Sequence, residues 1–275
     1  MRPQDAITGW DDTMNAELYD RFTRDFPFYA DTSRDLAIRA DLAGKQVVVD
    51  LCGGTGITAA ILLESMPPRA RVISVDNAKA MQVVGQRGLA DPRITWVIAN
   101  AEDVADHITE PVDAVVCNSG IWKTDTPEVF AAVKCILRPG GRLVFNVGGG
   151  FAGLTNPDDR GIIRTTSSLS DLITAIAVAD YGYVPRREKT SRPVLTRGTV
   201  EAQLTAAGFA VLASDTVTHA GTVEEKRAWL SIPLFARPPG QLTQVQRMEI
   251  LQKAYDKVDR RRVSTTSWLV VTAEG

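Results

Sequence analysis

Short apolar runs alternate with helix-length segments through the first half of the chain. The runs are rich in Val and Ile with little polar alternation, which is typical of strands buried on both faces of a sheet. They are residues 46–51, 71–76, 94–98, 112–117 and 142–147. Helical segments are predicted between them at 58–64, 78–88, 102–107 and 127–137. Five strands joined by helical crossovers indicate an α/β protein with a mostly parallel sheet.

The second half of the chain has a different pattern. The predicted elements are a helix at 200–207, a strand at 210–217, a long polar helix at 242–260 and a last strand at 268–272. Residues 167–185 and 222–239 fit neither the sheet nor its crossovers, so we expect them in helical caps. At the N-terminus, Tyr19, Phe22 and Phe26 recur at helical spacing. The predicted organisation is a helical lid over 1–43 and a main domain over 44–275, with cap insertions near 151–196 and 219–262.

Composition and charge exclude several classes of function. The 275 residues include 31 Lys and Arg against 33 Asp and Glu, a net charge of −2, so no strong cationic field attracts nucleic acid or an anionic membrane. Three cysteines in no ligand-like spacing predict neither a disulfide framework nor a zinc site. The N-terminus does not look like a secretion signal and no apolar run has the length of a membrane span, so we expect a cytoplasmic protein.

The first predicted strand runs into a glycine-rich loop, DLCGGTG at 50–56, which leads directly into a helix. Glycines allow a tight turn and let a ligand approach the unpaired N–H groups of a helix N-terminus. Asp76 ends the second strand, where a carboxylate can accept hydrogen bonds from both hydroxyls of a ribose. These features suit both a nicotinamide dinucleotide and S-adenosylmethionine. Asp50 favours the latter, because a carboxylate beside the loop repels a pyrophosphate but attracts an ammonium and a sulfonium.

From about residue 19 to its C-terminus, the chain resembles the class I S-adenosylmethionine-dependent methyltransferases. VVVDLCGGTG is similar to the first motif of the family, with Asp50, Gly54 and Gly56 at matching positions. Cys52 stands where the first glycine of that motif usually lies, a departure that the motif tolerates if Cys52 has an ordinary backbone conformation. The resemblance implies S-adenosylmethionine as the cofactor, with contacts from Asp50, Cys52, Gly53, Gly54 and Gly56.

Three later segments carry the same resemblance. VISVDNAKAM is similar to the second motif, NAED resembles a D-A-E segment with Asn in place of the first acid, and DAVVCN resembles the fourth strand, whose end faces the methionine part of the cofactor. The implied contact with the ribose is Asp76, those around the adenine are Asn77, Met81, Asn100, Ala101 and Glu102, and the one at the methionine end is Asn118.

The end of the chain also follows the family pattern. LRPGGRL resembles the turn before the fifth strand, and the runs at 210–217 and 268–272 fill the places of a sixth strand and an antiparallel seventh. The implied fold is Rossmann-like: a seven-stranded, mostly parallel sheet with an antiparallel last strand, helices on both faces and helical cap insertions. A sixth strand followed by an antiparallel seventh is not expected in a dehydrogenase.

Aromatic residues are the candidates for binding a methyl acceptor, because small-molecule pockets are lined mainly by apolar and aromatic side chains. The expected acceptor-binding residues are Trp122, just past the fourth strand, and Tyr181, Tyr183, Trp229 and Phe235 in the two caps. In relatives, an N-terminal helix with a Tyr-Asp pair closes over the cofactor. Tyr19-Asp20 is similar to that pair, so Tyr19 and Tyr29 are expected at the methionine end.

His219 is the candidate general base, because it follows the sixth predicted strand and an imidazole titrates near neutrality. No metal is expected, since Asp158-Asp159 is interpreted as an exposed turn. The basic runs at 186–187 and 260–262 are interpreted as solvated surface rather than an RNA site.

The leading hypothesis is methyl transfer from S-adenosylmethionine to a small, apolar or aromatic metabolite, with the acceptor atom left open. One alternative is a protein that keeps the methyltransferase fold and cofactor but catalyses a reaction other than methylation. Another is an NAD-dependent oxidoreductase, which Asp50 disfavours. The expected partner is a small-molecule acceptor, with no nucleic acid and no membrane, and the oligomeric state is open.

Overall fold

The chain folds around one mixed sheet, and the computed structural model describes residues 9–154, 167–185, 194–240 and 242–275. The strands are β1 (Val47–Leu51), β2 (Arg71–Asp76), β3 (Ile94–Ile98), β4 (Val112–Cys117), β5 (Leu137–Gly148), β6 (Ala210–Gly221) and β7 (Ser264–Glu274). The helices are α1 (Thr13–Asp25), α2 (Phe28–Ala40), α3 (Ile57–Glu64), α4 (Lys79–Gly88), α5 (Val104–His107), α6 (Thr126–Ile136), α7 (Gly149–Ala152), α8 (Leu169–Tyr181), α9 (Arg197–Ala206), α10 (Val223–Ser231) and α11 (Gln244–Lys257).

The seven strands are arranged in the order β3-β2-β1-β4-β5-β7-β6. Strands β1 to β5 pair in parallel, whereas β7 runs antiparallel to β5, from Arg142 opposite Glu274 to Gly148 opposite Trp268. The predicted fold class is therefore confirmed. The strand order reverses between β1 and β4, and open parallel sheets bind ligands outside the carboxyl ends of their strands at such a point.

Several elements differ from their predicted bounds. β5 begins early because Leu137 already pairs with Val112 before a shift of register. β6 continues to Gly221, so His219 lies within a strand rather than after it. The sequence pattern missed this extension because the last residues of β6 are mostly small or polar. The predicted helix at 102–107 is a 3₁₀ turn followed by the short helix α5.

Apolar side chains cover both faces of the sheet, because successive residues of a strand point to opposite sides. In β1, Val49 contributes to one face and Val48 to the other. The first face packs against α6 through Phe130. The second packs against α2 and α3 through Leu36 and Leu62. Helix α2 is thereby fixed to the sheet next to the carboxyl ends of β1 and β4.

Contacts between residues divide the chain into two compact units. One comprises Met1–Leu154, Val194–Thr218 and Ser267–Gly275, and the other comprises Thr155–Pro193 and His219–Thr266. In the second unit, α8, α10 and α11 share an apolar core that includes Ile173, Leu230 and Ile250. Helices α8 and α11 each begin with a capping box, at Ser168 and Thr243 respectively. The role of this unit as a cap stays a prediction.

Some sequence features lie outside the described residues. They are Asp158, Asp159, Arg186 and Arg187. Within the described ranges, every helix is too short or too polar to cross a bilayer.

Candidate functional site

The loop between β1 and α3 has backbone conformations that favour glycine. Gly54 and Gly56 have φ of 56° and 85°, in the left-handed region. Helix α3 begins directly after Gly56, so its first N–H groups border the loop. Gly53 is required by space, because an added Cβ would lie 2.3 Å from Ser74 Oγ and 2.6 Å from an Asp50 oxygen. The loop is therefore a cradle in which side chains are kept out of the way of a ligand.

Cys52 does not have the ordinary backbone conformation that was the condition for its place in the motif. Its φ is 58°, so a non-glycine residue adopts the left-handed conformation at the place where the resemblance expects glycine. The surroundings hold the turn in this conformation: Gly53 N donates to Val75 O at 3.0 Å. A hydrogen bond with Cys117, and then burial, raise the pKa of the Cys52 thiol, so it stays protonated at neutral pH.

Asp50 lies near the end of β1 and is buried, with 1% of its surface exposed. Its Oδ2 accepts a hydrogen bond from Ala59 N at 3.1 Å, whereas Oδ1 has no partner among the described residues. Burial, and then the charge of Asp76, raise the pKa of Asp50 to about 8. An orphaned, buried carboxyl oxygen is stabilised by a proton or by a ligand that donates or carries positive charge.

Asp76 at the end of β2 joins the glycine loop to the start of α4. Its Oδ2 accepts from Gly54 N at 2.9 Å and its Oδ1 from Ala78 N at 2.8 Å. Burial raises the pKa of Asp76, while these N–H donors and the charge of Lys123 lower it. Each carboxylate oxygen keeps a further acceptor site for a ligand hydroxyl. The arrangement has the capacity that the predicted ribose contact requires.

The residues predicted around the adenine form a polar cluster beyond β2 and β3. Asn77 Nδ2 donates to Asn100 Oδ1 at 3.1 Å, and Asn100 Nδ2 donates to Asp103 Oδ2 at 2.7 Å. Glu102 Oε1 accepts from Asp125 N at 2.8 Å, just before α6. The buried apolar members of this group are Met81 and Ala101. Within this group the structure joins Asn77 directly to Asn100, and the contact of the group with an adenine stays a prediction.

Tyr19 of α1 lies over the glycine loop. Its ring centroid is 5.2 Å from that of Tyr29 in α2, and a Cβ added to Gly54 would lie 4.0 Å from Tyr19 Cε1. Burial, then Tyr29, and then the charges of Asp76 and Asp50 raise the pKa of the Tyr19 hydroxyl. Helices α1 and α2 therefore bring two phenols to the side of the loop where both carboxyls lie.

Three residues that the sequence analysis missed extend this side of the site. They are Trp10, Asp11 and Lys123. Asp11 Oδ1 accepts from Ala80 N at 2.7 Å in the first turn of α4. Lys123 Nζ lies 3.7 Å from the centroid of the Trp10 ring, a cation–π contact, and its charge lowers the pKa of Asp76. No periodic pattern marks these residues, because each acts through a contact with a residue distant in sequence.

Asn118, just after β4, uses its side-chain amide within the protein. Its Nδ2 lies 2.9 Å from Ser33 Oγ, 3.0 Å from Thr32 Oγ1 and 3.3 Å from Tyr29 O, all in α2. Its Oδ1 accepts from Asn146 Nδ2 at 2.8 Å. Asn118 therefore anchors α2, and its predicted contact with the methionine end of a cofactor stays a prediction.

Trp122, predicted to bind the acceptor, is partly used in packing. Its ring stacks on Phe151 with centroids 3.7 Å apart and planes inclined by 10°. Its Nε1 donates to Ser119 O at 3.0 Å. One face of the indole is therefore covered by protein.

The other four predicted acceptor residues lie together in the second unit. Trp229 and Phe235 stack with ring centroids 4.1 Å apart. Tyr181 and Tyr183 pack against the apolar core of the unit, and the Tyr181 hydroxyl donates to Glu249 Oε2 at 2.9 Å. Each contact is one that a structural residue makes as well, so acceptor binding stays a prediction.

His219 has a carboxylate partner that the sequence analysis missed. Its Nε2 lies 3.3 Å from Oε1 of the buried Glu225, in the first turn of α10. A carboxylate beside an imidazole holds the ring in one orientation and favours one tautomer. The pair supplies what an oriented base requires, and its catalytic role stays a prediction.

The side chains around the glycine loop fit a ligand that carries positive charge and no phosphate. Asp50 presents an orphaned buried oxygen, and Ser74 Oγ beside it likewise has no partner in the described structure. A pyrophosphate on this loop would offer neither a hydrogen-bond donor nor a positive charge to Asp50. The ammonium of S-adenosylmethionine would supply both.

Known proteins are similar to this region in both sequence and fold. Residues 48–141 match the family described as "Methyltransferase domain". Trans-aconitate 2-methyltransferase from Azoarcus sp. (strain BH72) is 32% identical over 139 residues, which are 50% of this chain and 50% of that protein. A ubiquinone/menaquinone biosynthesis C-methyltransferase from Paracoccus denitrificans (strain Pd 1222) is 33% identical over 104 residues, 36% of this chain and 41% of that protein. The chain thus matches about half or less of the length of these relatives.

A solved structure supports the fold over most of the chain. Geranyl diphosphate C-methyltransferase from Streptomyces coelicolor A3(2) superimposes with a TM-score of 0.50 and 14% identity, covering 89% of this chain and 78% of that one. At this identity the likeness concerns the fold alone. The matched sequence region, the strand order and the glycine loop between two strand-end carboxyls make this chain similar to the class I S-adenosylmethionine-dependent methyltransferases.

Proposed function

We propose that this protein binds S-adenosylmethionine at the loop between β1 and α3 and transfers its methyl group to a small molecule. The observation that carries the proposal is the buried Asp50 carboxyl beside the glycine cradle, with Oδ1 unpartnered among the described residues. A ligand that brings an ammonium there removes the cost of an orphaned buried acceptor. The same group makes a nicotinamide dinucleotide the weaker alternative, because its pyrophosphate supplies neither a hydrogen-bond donor nor a positive charge to this oxygen.

The proposed contacts follow the polarity of the cofactor. Asp76 accepts the ribose hydroxyls, and Asn77, Met81 and Glu102 border the adenine. Tyr19, over the loop, covers the methionine end. Burial of this end matters because electrostatic attraction to the Asp50 carboxylate strengthens when water is excluded.

The chemistry of the step requires little of the protein. S-adenosylmethionine, when bound, supplies a methyl group already activated by the sulfonium. The chain has to hold the acceptor in line with that carbon and keep water away, which are effects of position and desolvation. The proposed role of His219, oriented by Glu225, is to take the proton of an acceptor that carries one.

The acceptor is proposed to be a small metabolite with an apolar or aromatic part. Two relatives with partial matches support the small-molecule class, since one is named for trans-aconitate and the other for quinone biosynthesis. Trp122, in the turn after β4, is the proposed contact for the apolar part. The acceptor atom is open between oxygen, nitrogen, sulfur and carbon.

Product analysis tests the proposal. The purified protein is incubated with S-adenosylmethionine carrying a deuterated methyl group and with a panel of carboxylic acids, phenols, quinols and thiols. We expect one class to gain the deuterated methyl group in equal amount to the S-adenosylhomocysteine formed, and Asp76→Ala to abolish both products. Conversion of a substrate without consumption of the cofactor would establish the non-methylating alternative instead. Hydride transfer with NAD would overturn the proposal.

A further inference from the structure

We infer that Asn146, a buried amide in β5, is a positioning residue that joins the tyrosine cover of the cofactor site to the turn after β4. The inference rests on the proposed function, since it concerns how the proposed cofactor site is held in shape. Asn146 has 1% of its surface exposed and stands within an otherwise apolar strand segment, with Phe145 and Val147 on either side. Burying a primary amide among apolar side chains costs free energy of folding unless its hydrogen bonds are made.

Both ends of the Asn146 amide are engaged with the residues that follow β4. Its Oδ1 accepts from Ser119 N at 2.6 Å, and its Nδ2 donates to Asn118 Oδ1 at 2.8 Å. Ser119 Oγ also donates to Asn118 Oδ1 at 3.0 Å. One buried side chain on a neighbouring strand therefore fixes two consecutive residues at the carboxyl end of β4.

The first arm of this network leads to the cover of the site. Asn118 donates to Ser33 and Thr32 of α2 and to the carbonyl of Tyr29. The ring of Tyr29 contacts the ring of Tyr19, which lies over the glycine loop. The position of the two phenols is therefore tied to Asn146 through a continuous chain of contacts.

The second arm leads to the turn that carries Trp122. Ser119 has φ of 65°, a left-handed conformation that costs a non-glycine residue free energy and persists only when its surroundings hold it. The bond from Ser119 N to Asn146 is one such restraint. Ser119 O in turn accepts from Trp122 Nε1 at 3.0 Å. Loss of the Asn146 acceptor would free this turn to relax.

The network is centred on the buried Asn146 and is hydrogen-bonded from there to α2 and to Trp122, so it has few alternative arrangements of equal energy. Removing one member leaves its partners unsatisfied, which costs more than the bond itself contributes. Because one amide serves both arms, the tyrosine cover and the Trp122 turn are expected to loosen together.

Asn146→Ala tests the inference, and Thr272→Val is the matched control. Thr272 is a buried polar residue of the adjacent strand β7 whose Oγ1 has no partner among the described residues. Hydrogen exchange of the ligand-free variants is compared over residues 28–40 and 119–123. We expect Asn146→Ala to accelerate exchange in both segments and Thr272→Val to leave both unchanged. Unchanged exchange in Asn146→Ala would overturn the inference without reference to any ligand.

Binding of S-adenosylhomocysteine adds a readout that general destabilisation does not produce. We expect Asn146→Ala and Tyr19→Ala each to raise the Kd about tenfold, as loss of roughly 1.4 kcal/mol does. The double variant should stay near tenfold rather than reach about a hundredfold, because both changes undo the same cover. Additive effects would contradict the inference, because they would show that Asn146 acts on binding independently of the tyrosine cover. Absence of binding by the unaltered protein would contradict the proposed function, while the exchange experiment still decides the role of Asn146.

If the alanine variant does not fold, Asn146→Asp provides a second test of the inference. The carboxylate retains an acceptor for Ser119 N but turns the donor toward Asn118 into a second acceptor. We expect faster exchange at 28–40 with little change at 119–123. Equal acceleration of both segments would contradict the assignment of two separate arms.

Discussion

Cys52 occupies the space that any side chain at Gly120 would need. A Cβ added to Gly120 would lie 2.4 Å from Cys52 Cβ and 3.0 Å from its Sγ. The two residues belong to the loop after β1 and the turn after β4, which border the strand-order reversal. Their contact sets how closely the glycine cradle approaches the residues at the end of β4.

The contact predicts a specific rescue. Gly120 has φ of −100°, which alanine adopts freely, so the effect of Gly120→Ala comes from crowding and is expected to be about 1–3 kcal/mol in the free energy of unfolding. Cys52→Gly removes the crowding atoms and relieves a left-handed residue, so the double variant should regain most of that loss. Urea denaturation of the single and double variants measures both effects.

Gly44→Ala is the control for this rescue, because nothing lies within 4 Å of a Cβ added there. Cys52→Gly should not change the effect of Gly44→Ala. Equal destabilisation by Gly120→Ala with and without Cys52 would show that the two loops do not meet as described.

The buried Asp50 predicts that stability of the ligand-free protein falls as the pH rises. Its pKa is about 8 in the folded protein, above the usual 3.8, so the folded state keeps a proton that the unfolded state has released between these values. The contribution of Asp50 to the free energy of unfolding is thus fully present below pH 4. It declines toward pH 8, by up to about 1.4 kcal/mol per pH unit. Asn at this position cannot titrate. The free energy of unfolding of the unaltered protein should therefore fall relative to that of Asp50→Asn between pH 5 and pH 8, and a constant difference would be the contrary result.

The same carboxyl predicts release of a proton when the cofactor binds. An ammonium beside Asp50 favours its ionised form, so at pH 7 a group that was mainly protonated loses its proton on binding. Calorimetric titration with S-adenosylhomocysteine in two buffers of different ionisation enthalpy measures this transfer. We expect the binding enthalpy to depend on the buffer, and we expect this dependence to be smaller in Asp50→Asn. The same buffer dependence in both proteins would assign the proton to another group.

His219 predicts an effect on turnover that is separate from cofactor binding. If it acts as the base, His219→Gln should lower kcat by about a hundredfold or more and leave the Kd of S-adenosylhomocysteine unchanged. Glu225→Gln should lower kcat less, because it only orients the ring. His107→Gln is the control, since His107 is exposed on α5. Full activity of His219→Gln, measured with the acceptor found by product analysis, would show that His219 is not the general base.

The inner strands of the sheet were predictable because they are buried on both faces. The runs 71–76 and 112–117 are rich in Val and Ile, and the structure gives them the same bounds. The end of β6 was not predictable in the same way, because a strand with exposed, small or polar residues lacks the apolar pattern. His219 was consequently placed after β6 instead of within it.

The site was predictable where its residues lie at strand ends in a recognisable motif, as Asp50 and Asp76 do. The backbone of Cys52 was not, because the residue type disfavours the conformation that the turn imposes. Asn146 carries a signal that went unused: a lone amide inside the apolar run RLVFNV. Lys123 carries none, since its contact with Trp10 exists only in the folded chain.

The central claim is that the loop between Asp50 and Asp76 binds S-adenosylmethionine, and thermal unfolding with added ligands tests it most directly. A ligand that binds the native state raises its stability by about 2.7 kcal/mol at one hundred times its Kd. We predict that S-adenosylmethionine and S-adenosylhomocysteine raise the Tm, that NAD does not, and that Asp76→Ala loses the shift while Asp91→Ala keeps it. A shift with NAD alone, or equal shifts in Asp76→Ala and the unaltered protein, would contradict the account.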